Sequence, residues 1–133
     1  MAPSRLEAVF FDVGNTLIAP HPSVSHVCKE ILAAAWHEHE LSSIESFMPL
    51  LDEYYEYRFR ADDTFWTSEE AVSQVWFGMY SLLCRRLGIE DQAEDLAVAV
   101  YGEFGRAERW RAYDDVVPAL RRMRELGLRV GVI

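Results

Sequence analysis

The stretch Ala8-Val9-Phe10-Phe11-Asp12-Val13-Gly14-Asn15-Thr16-Leu17 decides how this chain reads. Its first four residues are apolar, two of them aromatic and one β-branched, which fits a short buried strand. The strand ends on a carboxylate, and Gly-Asn-Thr supplies a turn after it. In open α/β sheets, ligands bind outside the carboxyl ends of the strands. Asp12 is therefore expected where chemistry is done. A carboxylate there can attack a phosphorus or carbon centre, or hold a metal ion.

Outward from this stretch, the pattern changes period. Gly14 to Pro22 reads as a loop, with Pro20 and Pro22 blocking helix. Ser23 then caps a helix from Val24 to about Glu40, whose apolar residues Val24, Val27, Cys28, Ile31, Leu32 and Ala35 recur at helical spacing. Ser42 and Glu45 form a capping box for a second helix, which Pro49 is expected to kink or delay and which ends near Asp62. Thr67 and Glu70 form another box, opening a third helix that Gly88 stops near Leu87. Its stripe is Val72, Val75, Trp76, Met79, Tyr80, Leu83 and Leu87. A fourth helix covers about Asp91 to Phe104, with Leu96, Val100 and Phe104 expected inside.

Trp110 to Tyr113 leads into a fifth helix, capped by Asp114 or Asp115, with Pro118 tolerated in the first turn. Val116, Val117, Leu120, Met123 and Leu126 should face inward, and Gly127 ends the helix. Leu128 to Ile133 is a second apolar strand. Two strands joined through a helix make a parallel pair. The four helices between them read as an insertion. The expected domains are residues 1–20 as the first strand and loop of an α/β core, 21–109 as a helical module, and 110–133 as the return helix and second core strand.

The run ending in Asp12-x-Gly14-x-Thr16-Leu17 resembles the first motif of the haloacid dehalogenase-like (HAD) hydrolase superfamily, an apolar strand followed by Asp-x-Asp-x-Thr/Val-Leu. Gly14 stands where that motif has its second Asp. The re-entry, Tyr113-Asp114-Asp115-Val116-Val117-Pro118-Ala119-Leu120 followed by Leu126 to Ile133, is similar to the family's segment leading to its second core strand. The resemblance covers the whole chain but only the first part of the family's domain. It implies an incomplete Rossmann-like α/β core of two parallel strands with an inserted α-helical cap. It also implies that the chain is the amino-terminal portion of a longer enzyme, because the family's phosphate-binding Ser or Thr, its Lys and its later acidic residues would follow Ile133. An outer edge of the short sheet would then be exposed, and self-association through it is a possible outcome.

The same resemblance implies roles. Asp12 is the nucleophile, forming an aspartyl-phosphate that water hydrolyses. Mg²⁺ is held by Asp12 and by the backbone carbonyl of Gly14, while Asn15, Thr16 and backbone amides between Val13 and Thr16 face the phosphate. The substrate is a small phosphorylated or otherwise anionic metabolite. In family phosphatases, the second Asp protonates the leaving alcohol, a contribution of roughly 10²–10⁴-fold that Gly14 cannot make. Two alternatives therefore stand beside a phosphatase. One is a member cleaving a bond other than a phosphoester, in the manner of dehalogenases or phosphonatases. The other is a catalytically incomplete fragment or interaction module.

Composition narrows the field. The net charge of −9 argues against nucleic acid, whose affinity comes from Lys and Arg on phosphates. No stretch approaches a membrane span and no signal peptide is visible, so a cytoplasmic location is expected. Cys28 and Cys84 lack metal-ligand spacing and read as buried reduced thiols. His37 and His39, two residues apart, would point to different helix faces and make a poor zinc site. Lys29, the only lysine, reads as a solvated side chain, and Arg58 and Arg60 as parts of a salt-bridged face with Glu53 and Glu56.

Overall fold

The computed structural model describes residues 6–35, 41–62 and 64–133. His37 and His39 lie outside them, as does the side chain of Ser42, and the first helix, expected to run to about Glu40, ends at Leu32 with Ala33 as its C-cap and a turn over residues 33–35. The chain divides into two compact units, Met1–His21 with Trp110–Ile133, and Pro22–Arg109.

In the first unit, β1 (Ala8–Phe11) pairs in parallel with β4 (Arg129–Val132), in the register Ala8 to Arg129 and Phe11 to Val132. Backbone bonds from Arg129 N to Glu7 O and from Ile133 N to Phe11 O extend the ladder at both ends. Helix α5 (Val116–Glu125) makes the connection that a parallel pair requires. Gly127, at φ 74°, takes the left-handed position that turns the chain from α5 into β4. The fold class is α/β, as expected.

Three expectations for this unit are corrected. The first strand is not buried: Phe10 is 64% exposed, because one face of a two-stranded sheet has no second layer. Phe10 spreads its ring over Gly131 instead, so closely that a Cβ there would come within 2.7 Å of it. On α5, Val117 and Leu126 are exposed for the same reason, while Val116, Leu120 and Met123 are half-buried. The segment read as a loop contains β2 (Ile18–Pro20), antiparallel to β3 (Trp110–Ala112), with Pro20 opposite Trp110. In a sheet of two strands each is an edge, where the missing N–H of a proline is tolerated.

The second unit contains α1 (Val24–Leu32), α2 (Leu41–Ala61), α3 (Glu69–Arg86) and α4 (Ala93–Glu103). Ser23 caps α1, its Oγ accepting from His26 N at 3.2 Å. Pro49 lies inside α2, which begins before it at Leu41. Its ring removes one backbone bond, yet neighbouring turns and buried Ile44 and Leu51 hold the helix on either side. The cap of α3 is Ser68, not Thr67: Ser68 Oγ accepts from Ala71 N at 3.0 Å, while the Thr67 hydroxyl donates to Thr64 O within a 3-10 turn. Gly88, at φ 78°, follows α3 as expected.

Among the described residues, every buried apolar side chain belongs to this helical unit. The core joins Cys28 and Leu32 of α1, Ile44 and Leu51 of α2, Met79, Leu83 and Cys84 of α3, and Ala97 and Val100 of α4. The small Ala97 is buried and the larger Leu96 only half so, because alanine lets α4 approach α3 closely. Truncating a side chain such as Leu83 in this setting costs about 2–5 kcal/mol. Both cysteines are free, and burial pushes the Cys28 thiol up to about 12 and the Cys84 thiol to about 11, which keeps them protonated.

Candidate active site

Asp12 is the first residue past the carboxyl end of β1, and its side chain is exposed. The residues after it fold back in a tight turn. Thr16 N, Leu17 N and Ile18 N all donate to Val13 O, at 3.3, 2.9 and 3.2 Å, and Asn15 N donates to Ile18 O at 2.7 Å. The turn closes because Asn15 adopts φ 58°, a left-handed conformation that asparagine tolerates better than most side chains. Ile18 then enters β2, so the end of the turn is fixed by the β2–β3 pair.

This fold-back returns Thr16 to the nucleophile candidate. Thr16 Oγ1 donates to Asp12 Oδ2 at 2.7 Å, a short bond to a carboxylate. Asp12, Gly14, Asn15 and Thr16 are thus gathered in one turn. The expectation for the backbone amides is corrected in part: those of Asn15 and Thr16 are spent on Ile18 O and Val13 O. At Gly14, a Cβ would meet nothing within 4 Å, so the position carrying no side chain opens onto free space.

Beside Thr16 lies a cleft of about 130 Å³, lined by Phe11, Thr16, Leu17, Asp115, Val116, Ala119 and Leu120. Asp115 stands at the N-cap position of α5 without a capping side-chain bond, so the expected aspartate cap is formed in position only. Asp115 lines the same cleft as Thr16 with no signal for it in the sequence, whereas the Asp-x-x-x-Thr spacing is the sequence signal of the Thr16–Asp12 bond.

Several charged residues of the helical unit pair with one another. Arg60 bonds Glu56 at 2.9 Å, as the salt-bridge reading expects. Arg109 joins Glu30 at 2.6 Å and Glu103 at 2.7 Å, and Arg106 also bonds Glu103 at 3.0 Å. Lys29 is half-buried on α1. Among the described residues, no three His, Cys, Asp or Glu side chains group as a metal site.

The family model for haloacid dehalogenase-like hydrolases matches residues 6–133. The chain belongs to the haloacid dehalogenase-like hydrolases. No match was found among curated proteins. The family match spans both the Asp12 turn and the helical segment, so the helices belong to the HAD-like domain. Among the described residues, no helix is long and apolar enough to cross a membrane.

Proposed function

We propose that this HAD-like hydrolase performs phosphatase-type chemistry on a small phosphorylated metabolite, with Asp12 as nucleophile. One observation carries the reading: an exposed carboxylate at the carboxyl end of β1, held through Oδ2 by Thr16, with Oδ1 left for attack. Oδ1 would bond to phosphorus as the bond from phosphorus to the leaving group breaks. Water would then attack the aspartyl-phosphate, releasing phosphate and restoring the carboxylate. Asn15 and Thr16 flank the phosphate side of this site. Residues 1–20 and 110–133 act as core and residues 21–109 as cap.

Mg²⁺ fits the donors present. Asp12 offers a carboxylate, and the Gly14 carbonyl takes no part in the backbone bonds of the turn. Mg²⁺ commonly binds through one or two carboxylates together with water and substrate phosphate. When bound, it would neutralise charge on the phosphoryl oxygens. The two free, buried thiols suit a cytoplasmic location.

The open space at Gly14 favours a second reading, cleavage of a bond whose leaving group needs no proton, as in dehalogenase- or phosphonatase-like members. The exposed Phe10, Val132 and Ile133 of the parallel pair support a third, an interaction module that associates with itself through its sheet. Size-exclusion chromatography over a range of concentrations tests that reading, and a monomer throughout counts against it.

The deciding experiment is Mg²⁺-dependent release of phosphate from p-nitrophenyl phosphate and acetyl phosphate. We expect turnover by the wild-type protein and its loss in Asp12→Asn. Full activity in Asp12→Ala overturns the reading.

A further inference from the structure

We infer that Thr16 is a positioning residue for Asp12, selecting which carboxylate oxygen is presented for reaction, and not a ligand of the phosphate. The inference rests on Asp12 being the nucleophile. A threonine hydroxyl carries one hydrogen. In this structure Thr16 Oγ1 gives it to Asp12 Oδ2 at 2.7 Å. Phosphate oxygens are acceptors, so the hydroxyl cannot donate to one of them while it holds the carboxylate. Oδ2 is thereby tied, and Oδ1 is the oxygen left to react.

The bond is built by the backbone, independently of Asp12. Val13 O draws in three successive amides, those of Thr16, Leu17 and Ile18, and Asn15 takes its left-handed φ to permit this. Ile18 is anchored in turn by pairing with Ala112 of β3. The hydroxyl is therefore delivered to a fixed point above the end of β1. Asp12 itself is exposed and would otherwise sample several rotamers in solvent. Restraining it lowers the ordering needed before attack, and misplacement of a reacting group by about 1 Å can cost roughly 10²-fold in rate.

The test uses Thr16→Val, which keeps the shape and removes the hydroxyl, and Thr16→Ser, which keeps the hydroxyl. Three-bond couplings to the Asp12 β-protons, measured by NMR, report its rotamer without any need for activity. We expect a single rotamer in wild type and in Thr16→Ser, and averaging in Thr16→Val. A single unchanged Asp12 rotamer in Thr16→Val overturns the inference. With p-nitrophenyl phosphate, kcat should fall about 10- to 100-fold in Thr16→Val, with inhibition by inorganic phosphate unchanged and activity restored in Thr16→Ser. Weakened phosphate inhibition with kcat intact makes Thr16 a phosphate ligand and also overturns it. If wild type turns over no phosphoester, the proposed function fails, while the couplings still decide whether Thr16 holds Asp12.

Discussion

The hydroxyl end of Tyr54 fills the space above Gly78, where α2 meets α3. A Cβ at Gly78 would collide with the Tyr54 hydroxyl oxygen and lie 2.9 Å from Cζ. This glycine sits mid-helix, where alanine is intrinsically better by up to about 1 kcal/mol. Overpacking costs about 1–3 kcal/mol, and Tyr54 is half-buried against the core, which limits its retreat. Gly78→Ala should therefore lose about 1 kcal/mol in chemical denaturation, and adding Tyr54→Leu should recover it. A stabilised Gly78→Ala would mean that the ring swings aside freely.

The uneven distribution of buried side chains predicts uneven stability. The α/β unit has exposed apolar residues on both strands, and the helical unit holds all the buried ones among the described residues. Amides of β1 and β4 should exchange with solvent well before those of α3 and α4, in the order that local burial sets. Hydrogen exchange followed by NMR or mass spectrometry measures this directly. Equal protection in the two units would show that the sheet is stabilised by something other than its own side chains.

Gly14→Asp should be tolerated, because nothing lies within 4 Å of the new Cβ and the position lacks a positive φ. If Asp12 attacks phosphoesters, a carboxyl two residues away supplies the missing proton donor. Turnover of p-nitrophenyl phosphate should change little, since its leaving group is weakly basic. Turnover of an alkyl phosphate should rise about 10-fold or more. No gain on the alkyl ester would locate leaving-group protonation elsewhere.

Acid should weaken the helical unit through Glu103. Hydrogen bonds from Arg109 and then Arg106 hold its carboxyl below the usual glutamate range. A depressed native value stabilises the fold above the unfolded value of about 4.3, and the benefit is lost as pH falls through the native one. Arg109→Gln should thus lower Tm at pH 7. The difference from wild type should shrink as the pH drops below about 4, as thermal melts at successive pH values would show. A constant difference would assign the role of Arg109 to packing alone.

The parallel pair was legible because Val9-Phe10-Phe11 and Val130-Gly131-Val132 are extended by composition and are separated by a helix of the right length. The helices of the second unit were legible from spacing. The β2–β3 pair was not, since three residues such as Ile-Ala-Pro carry no period and their pairing is decided by a partner far along the chain. Thr67 and Ser68 are both competent caps, and only the backbone angle, extended at Ser68, separates them. Exposure of Val117 and Leu126 was also hidden, because a helical stripe shows which side is apolar but not whether anything covers it. At the site, the Asp12–Thr16 spacing was visible, but the turn that closes it depends on the φ of one asparagine.

Pro20 and Trp110 face one another as the last pair of β2 and β3. The long stretch between them therefore departs and returns at neighbouring points, like a loop tied at its neck. Its length has no bearing on the strand spacing at that knot. A tight two-residue turn could span the same gap, so the pairing of these two strands sets no requirement on the length of the chain between them.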